Sequence, residues 1–227
     1  MSQARCNYHH GDLRNALIIA AAELIERDGT LEFSMAEAAT RAGVSAAAPY
    51  RHFSDKEELL RAVRQLAILG LGNEAAQTVA LYTVGSLDGI LAMGHTYLRY
   101  ARNKRAFFSL MWEDRGDINE IRANAAEDHG GFMILVNLVQ AYCKNQGNPA
   151  KDGVRLATQI WSMTHGIATL EASQLINLFD RSIEPESLLD HSVRTLLEGE
   201  TRIGTLGDTM SPQCKRTAEN ALNHFST

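Results

Sequence analysis

The chain has 227 residues, of which 45% are hydrophobic and 22% are charged, and its formal net charge is −5. This length is enough to bury a sizeable core, and the composition is that of an ordinary soluble globular protein. The charge excludes a polycation, so any contact with a nucleic acid has to come from a local basic patch.

Most segments carry the periodicity of amphipathic helices, and none carries the alternation of a strand. A first helix is predicted over 12–28, with Asp12 as its N-cap and Gly29 as its C-terminal stop. A second helix is predicted to begin after Ser34, which has Glu37 as the partner of a capping box.

The turn after this second helix falls at Gly43, a residue type that accepts positive φ. Ser45 is predicted to cap another short helix, with Pro49 in its first turn. The residues predicted to let these helices cross or to fill their core are Ala38, Ala39, Ala42, Val44 and Phe53. The pattern predicts a helix-turn-helix whose second helix can lie in a DNA major groove.

A long helix is predicted from Asp55 to about Ala80, directly after this motif. Further helices are predicted over 87–103, 105–114, 132–144, 152–178 and 185–197. The stretch 116–131 is predicted to be a loop with a short helix. From Glu200 onward the chain is predicted to be a loose polar tail.

The outward face of the short helix after Gly43 is predicted to contact DNA. Its residues are Ser45, Ala46, Ala47, Tyr50, Arg51 and His52, with Lys56 at the start of the next helix. Arg51 and Lys56 suit phosphates, and Tyr50 and His52 suit phosphate or sugar. The alanines offer only methyl groups, which can pack against thymine, so methyl contacts and DNA shape are expected to carry specificity. The alternative is a packing unit without a DNA role, in which Tyr50 and His52 are half-buried.

Two stretches, Tyr8-His-His-Gly-Asp-Leu-Arg and Gly43-Val-Ser followed by Tyr50-x-His-Phe-x-x-Lys56, carry a family resemblance. Residues 8–64 resemble the N-terminal domain of the tetracycline-repressor (TetR) family of transcriptional regulators. The resemblance implies that the outward residues face DNA, together with the start of the preceding helix around Ser34. The alanine run departs from relatives, which often have Lys, Gln, Thr or Gly at these positions.

The segment 87–112 is rich in aromatic residues and methionine, and Trp161 precedes His165-Gly166 on a predicted helix. Together they resemble the C-terminal domain of a TetR subgroup named for a Trp-His-Gly signature, to about residue 199. An apolar ligand pocket is predicted from Met93, Tyr97, Phe107, Met111, Trp112, Phe132, Val136 and Trp161. The alternative is that these side chains fill the core. His165 and Gly166 are predicted to lie at a close helix crossing.

Two apolar stripes are predicted to form a four-helix interface between two copies of the chain. The first stripe is Val154, Ala157, Ile160, Trp161, Ala168, Leu175 and Ile176, and the second is Leu188, Leu189, Val193, Leu196 and Leu197. The alternative is that both stripes pack inward. A dimer would bind two DNA half-sites about 34–36 Å apart.

We therefore predict an all-α protein with a helix-turn-helix DNA-binding domain at 1–55, a helical ligand-sensing and dimerisation domain at 56–199, and a loosely ordered tail at 200–227. Its predicted function is that of a homodimeric repressor that a small, largely apolar ligand releases from a double-stranded DNA operator. The alternatives are an activator, or a helical small-molecule binding protein without a DNA role. No catalytic motif is present, so neither an enzyme nor a cofactor is expected.

The three cysteines, Cys6, Cys143 and Cys214, are far apart and form no C-x-x-C pair. They predict neither a zinc site nor a disulfide framework, and they favour a reducing cytoplasm. No signal peptide is predicted, and the most apolar windows, 66–71 and 132–139, are too short or too interrupted to span a bilayer. A cytoplasmic protein without membrane association is expected.

Overall fold

A computed structural model of the chain describes residues 13–112, 130–147, 152–178 and 180–207. Within these ranges the chain forms eight α-helices, one 3-10 turn and no strand, which confirms the all-α prediction. The helices are α1 Leu13–Asp28, α2 Met35–Arg41, α3 Lys56–Val79, α4 Leu87–Asn103, α5 Arg105–Trp112, α6 Gly130–Asn145, α7 Gly153–Ala172 and α8 Pro185–Gly207, and the 3-10 turn is Pro49–Arg51. In the described ranges, no helix combines the length and the apolar character needed to cross a lipid bilayer.

Helix α2 begins at the cap that the sequence predicts, and α3 begins at a cap of the same kind. The Ser34 hydroxyl accepts a hydrogen bond from Glu37 N at 3.1 Å, and the Glu37 carboxylate accepts one from Ser34 N at 2.7 Å. At α3, Asp55 accepts from Glu58 N at 2.8 Å and Glu58 accepts from Ser54 N at 2.7 Å. Such caps typically contribute about 1 kcal/mol each. The predicted cap Asp12 lies outside the described residues.

The N-terminal core is enclosed by α1, α2 and the first half of α3. Its buried residues include Leu17, Leu24, Ile25, Ala38, Phe53, Leu59 and Val63. Val44 packs against it, as predicted, and Gly43 has a φ of +73°. The core that the sequence predicts for the helix-turn-helix is therefore present.

The C-terminal core, called here the body core, surrounds α4, which contacts α3, α6, α7 and α8. Its buried residues include Ile90, Leu98, Val136, Val139, Ala157, Ile160, Leu189 and Val193. Two features of α4 tie it to its neighbours. Arg102 is paired with Glu171 of α7 and with Glu186 of α8, at 2.6 and 2.8 Å. Tyr100 donates its hydroxyl to the carbonyl oxygen of Ala67 in α3 at 3.3 Å.

The short helix α5 belongs to both cores. Leu110 is buried in the N-terminal core, while Phe108 and Met111 are buried in the body core. Just before α5, Lys104 forms an ion pair with Glu26 of α1. A movement of α5 therefore disturbs the packing of both halves of the chain.

The structure corrects two predicted helix ends. The helix predicted over 152–178 ends at Ala172, where Leu175 N donates to Leu170 O and Gln174 N donates to Glu171 O at 2.8 and 2.9 Å. These two bonds form a Schellman motif, with Gln174 in the left-handed position that glycine usually occupies (φ 57°).

The helix predicted to end near Leu197 continues to Gly207, so residues 200–207 of the predicted loose tail are helical. A glycine inside a helix costs only about 1 kcal/mol, and no proline follows Pro185 within 185–207 to interrupt the helix.

Candidate nucleic-acid interface and aromatic cluster

The segment 45–52, called here the recognition turn, does not form the α-helix that the sequence predicts. An α-helix capped at Ser45 needs an N–H from residue 49 to bond the Ser45 carbonyl oxygen, and Pro49 has none. Ala48 N donates to that oxygen instead, at 2.9 Å, and Ala48 is the N-cap of the 3-10 turn. Beyond the proline, His52 N and Phe53 N both donate to Pro49 O, at 2.9 and 3.0 Å.

One side of the recognition turn is fixed to the N-terminal core. Pro49 is buried, and Phe53 just after the turn is fully buried with the guanidinium of Arg14 5.1 Å from its ring centre. These contacts anchor the turn to the N-terminal core, and the turn also packs on α2.

The other side of the recognition turn is open to solvent. Its exposed residues are Ser45, Ala46, Ala47, Tyr50, Arg51 and His52. Tyr50 is 61% exposed. The alternative prediction that Tyr50 and His52 are half-buried is therefore wrong, and the face remains available to a partner.

Unlike the other predicted DNA contacts, Ser34 and Lys56 interact with side chains of their own chain. Hydrogen bonds from the hydroxyl and the N–H of Ser34 hold the pKa of the Glu37 carboxyl below its ordinary value, so Glu37 keeps a negative charge beside Ser34. Lys56 is half-buried, with Nζ 4.9 Å from the centre of the Phe33 ring. Both residues have partners inside the chain, whereas Tyr50 and Arg51 present their side chains to solvent.

A second candidate site is a group of rings between α4, α5, α6 and α7, called here the aromatic cluster. Its members are Tyr97, Phe108, Trp112, Phe132, Trp161 and His165. Ring centres lie 5.1 Å apart for Trp112–His165, 5.5 Å for Trp112–Trp161, 5.7 Å for Phe108–His165 and 6.0 Å for Phe132–Trp161. Phe108 is buried, Trp112 is 39% exposed, and the other four are half-buried.

A hydrogen bond joins two members of the cluster, since the Tyr97 hydroxyl lies 2.8 Å from Nδ1 of His165. Burial raises the pKa of Tyr97 well above its ordinary value, although hydrogen bonds to the side chains of Trp161 and Trp112 oppose this shift. Burial lowers the pKa of His165. Both groups are therefore neutral at neutral pH, so a single proton lies in the bond between them.

Four of the eight predicted pocket residues lie in this cluster: Tyr97, Trp112, Phe132 and Trp161. Met111 and Val136 are instead sealed in the body core, and Met93 and Phe107 only pack against it. The sequence prediction missed Phe108 as a cluster member and missed the role of His165. Each lies four residues from a predicted tryptophan, Phe108 before Trp112 and His165 after Trp161, and this spacing places them on the same helix face.

Gly166 does not lie at a close helix crossing within the chain. A Cβ atom added to it would meet no atom within 4 Å. The prediction of a crossing at this glycine is wrong for the single chain, because His165 points into the aromatic cluster while Gly166 faces open space.

The two predicted dimer stripes point mostly inward. Their buried members are Ala157, Ile160, Ala168, Leu189, Val193 and Leu197, and Ile176 and Leu196 pack against the same body core. Only Val154, Leu175 and Leu188 are exposed, and Trp161 belongs to the aromatic cluster. Most of both stripes therefore packs inward, as the alternative to a dimer interface predicts, because a single chain already buries these residues.

Comparison with known families assigns both halves of the chain. Residues 17–63 match the family model of "Bacterial regulatory proteins, tetR family", and residues 90–196 match that of the "Tetracyclin repressor-like, C-terminal domain". The chain belongs to the tetR family. It is a DNA-binding transcriptional regulator, and the recognition turn falls inside the matched N-terminal domain of this tetR-family chain.

Solved structures have the same fold. A protein with unknown function from a Rhodococcus species is 26% identical, with 86% of this chain and 98% of that chain covered and a TM-score of 0.67. The TetR family regulator PfmR from Thermus thermophilus is 20% identical, with coverages of 80% and 97% and a TM-score of 0.53. A putative TetR family regulator from Vibrio parahaemolyticus is 22% identical, with coverages of 82% and 97% and a TM-score of 0.58. Among curated proteins, none matches the sequence of this tetR-family chain.

Proposed function

We propose that this chain is a homodimeric repressor that releases its operator when a small, largely apolar ligand binds at the aromatic cluster. The observation that carries the proposal is that α5 contributes buried residues to both the N-terminal core and the body core. One residue of this helix, Leu110, is buried among the helix-turn-helix side chains, and its neighbours Phe108 and Trp112 belong to the aromatic cluster. A ligand that moves the rings acts directly on the packing behind the recognition turn.

The exposed face of the recognition turn is the proposed DNA contact. Arg51 supplies a charged donor and Tyr50 a hydroxyl for the sugar-phosphate backbone, while Ala46 and Ala47 offer methyl groups to base edges. Lys56 and Ser34 at the flanking helix starts are proposed as supporting contacts. A turn this short reads few bases, so specificity requires a second copy on a second half-site.

The outer surface of α7 supports a dimer through that helix. An exposed or half-exposed row at four-residue spacing runs along α7 and consists of Val154, Thr158, Ser162, Gly166 and Leu170. Rows at this spacing form the ridges with which helices pack, and small residues let two backbones approach closely. No described residue requires glycine at Gly166, and glycine in a helix costs about 0.5–1 kcal/mol relative to alanine. Close packing of a second copy at Gly166 would explain why this position is glycine. The exposed Leu188 of α8 would then lie at the edge of the interface.

The aromatic cluster suits a ligand because most of its rings are only half-buried and it contains a polar pair. Apolar walls with a few orienting polar groups are typical of small-molecule sites. Membership of the Trp-His-Gly subgroup is proposed from the sequence, in which Trp161 precedes His165 and Gly166 on α7.

Release follows if the ligand prefers one position of α5 and α3. The first half of α3 lies in the N-terminal core and its second half packs on the body core, so α3 and α5 move together with the recognition turn. The loss of operator affinity can be no larger than the difference in ligand affinity between the two arrangements.

The test begins with duplexes selected by the protein from a random-sequence pool. Compounds that alter the fluorescence of Trp112 and Trp161 are then added to the protein–operator complex. We expect occupancy of the cluster to weaken operator binding. If every compound that demonstrably occupies the cluster leaves operator affinity unchanged, release by this route is wrong.

A further inference from the structure

We propose that the aromatic cluster selects an uncharged planar ligand with a hydrogen-bond acceptor, which accepts the Nε2–H of His165. This inference rests on the proposed function, in which the cluster is the effector site, and it names the chemical class of the effector. It follows from which nitrogen of His165 carries the imidazole proton and from the kinds of side chain around that ring.

The ring proton of His165 is placed by its bond to Tyr97. The Tyr97 oxygen accepts from the indole N–H groups of Trp161 and Trp112, which can only donate, so the hydroxyl directs its own proton over 2.8 Å to Nδ1. The neutral imidazole then carries its proton on Nε2. Among the described residues, Nε2 has no hydrogen-bond partner, since the bond to Tyr97 at Nδ1 is the one that His165 makes. An N–H donor among apolar rings is best satisfied by an acceptor on a ligand.

The rings around His165 favour a flat guest. The ring planes of Trp112 and His165 are inclined by 68° with centres 5.1 Å apart, and those of Trp112 and Trp161 by 48° with centres 5.5 Å apart. Edge-to-face and tilted arrangements at these distances are the favourable ones for aromatic groups. A planar ligand can take the same arrangements against the two indoles, whereas a branched aliphatic one cannot.

The cluster also discriminates against charge. None of its six side chains is ionised at neutral pH, because Tyr97 and His165 are both held neutral and the other four are hydrocarbon or indole rings. An ionised ligand would meet no counter-charge among these six side chains. A cation would be attracted by an indole face, but it would also be repelled by the donor Nε2–H of His165.

The test uses four bicyclic probes of similar shape. Indan-1-one carries a neutral acceptor, indane carries none, indane-1-carboxylate is an anion, and 1-aminoindane is a cation at neutral pH. Binding of each to the full chain is measured by calorimetry and by the fluorescence of Trp112 and Trp161, the two tryptophans of the sequence. We expect indan-1-one to bind about tenfold more tightly than indane, as one hydrogen bond predicts, and both ions to bind more weakly than indan-1-one.

The variant His165→Phe keeps a ring and removes the donor. It should lower the affinity for indan-1-one to that for indane and leave indane binding unchanged. The matched control is His191→Phe on the exposed face of α8, which should change neither affinity. Circular dichroism of each variant establishes that the helices are retained.

The outcomes separate this inference from the proposed function. The ligand class is wrong if either ion binds as tightly as indan-1-one, or if indane has the same affinity as indan-1-one. It is also wrong if no probe binds at millimolar concentration. If the four probes rank as expected but indan-1-one does not change operator affinity, the ligand class stands and the effector role of the cluster fails.

Discussion

Gly94 of α4 faces Leu189 of α8 so closely that a Cβ atom on Gly94 would lie 2.7 Å from Cδ2 of Leu189. Leu189 is fully buried in the body core, so it has little room to move aside. This contact sets how closely α4 can cross α8, and it requires glycine at a helix position where glycine is otherwise unfavourable.

Replacing Gly94 with valine should therefore destabilise the body core. Overpacking of this kind typically costs about 1–3 kcal/mol, and urea denaturation at fixed protein concentration measures it. Gly70→Ala in α3 is the control, since a Cβ there meets nothing within 4 Å, and it should stabilise the chain by about 0.5–1 kcal/mol. Equal midpoints for Gly94→Val and the unmodified chain would mean that the crossing is not tight.

A bulky side chain at Gly166 should separate the proposed dimer without unfolding the chain. Because no atom lies within 4 Å of the added Cβ, Gly166→Leu has room in one copy and lacks it against a second copy. Sedimentation should give twice the 25.0 kDa chain mass for the unmodified protein and the single mass for the variant. Gly70→Leu, a glycine on an exposed part of α3, should remain dimeric. A dimeric Gly166→Leu would exclude this helix row as the interface.

Removal of Arg51 should weaken DNA binding at all sequences alike. Each lost phosphate contact lowers the slope of log affinity against log salt by about 1, so Arg51→Ala should reduce it by about 1 for each chain bound. Arg155→Ala at the start of α7 also removes one positive charge, but outside the helix-turn-helix, and it should leave the slope unchanged. An unaltered slope in Arg51→Ala would remove this residue from the interface.

The exposed methyl groups of Ala46 and Ala47 should make binding sensitive to thymine methyls. Replacing the contacted thymines of a selected operator by uracil removes one methyl each, and burial of a methyl is worth about 0.8 kcal/mol, or about fourfold in affinity. The double variant Ala46→Gly, Ala47→Gly should bind both operators equally. A uracil effect that persists in this variant would assign the methyl contact to another residue.

Protonation of His165 should reduce stability as pH falls. Its pKa in the folded chain is lowered by burial from an ordinary value of 6.5, so the unfolded chain binds the proton first as pH drops below that value. The stabilisation is complete above pH 6.5 and is lost below it. Urea denaturation between pH 7 and pH 5 should show a larger loss for the unmodified chain than for His165→Gln, which keeps an acceptor for Tyr97. Parallel curves for the two proteins would contradict a lowered pKa.

Local signals in the sequence predicted the helix starts well. The spacing of Ser34 and Glu37 determines a capping box within four residues, and no distant contact alters it. Pro49 carried an equally local signal, because it stands four residues after the expected cap Ser45, where an α-helix needs its first N–H donor. The 3-10 turn could therefore have been predicted from those two residues.

Other features depend on contacts that the sequence does not reveal. Gln174 adopts a left-handed conformation that is usual for glycine, so the end of α7 had no sequence signal. The Tyr97–His165 bond joins residues on different helices, α4 and α7. Which apolar stripe faces inward also depends on packing, as Leu189 and Val193 show, since both are buried within a single chain.

The most direct test of DNA recognition is hydroxyl-radical footprinting of a selected duplex, with sedimentation of the same complex. We expect two protected patches about 34–36 Å apart, two chains per duplex, and loss of both patches in the variant Tyr50→Ala, Arg51→Ala, which should retain its helices because both side chains are exposed. Unchanged protection by this variant, or a single patch bound by one chain, would contradict a two-fold complex that contacts DNA through the recognition turn.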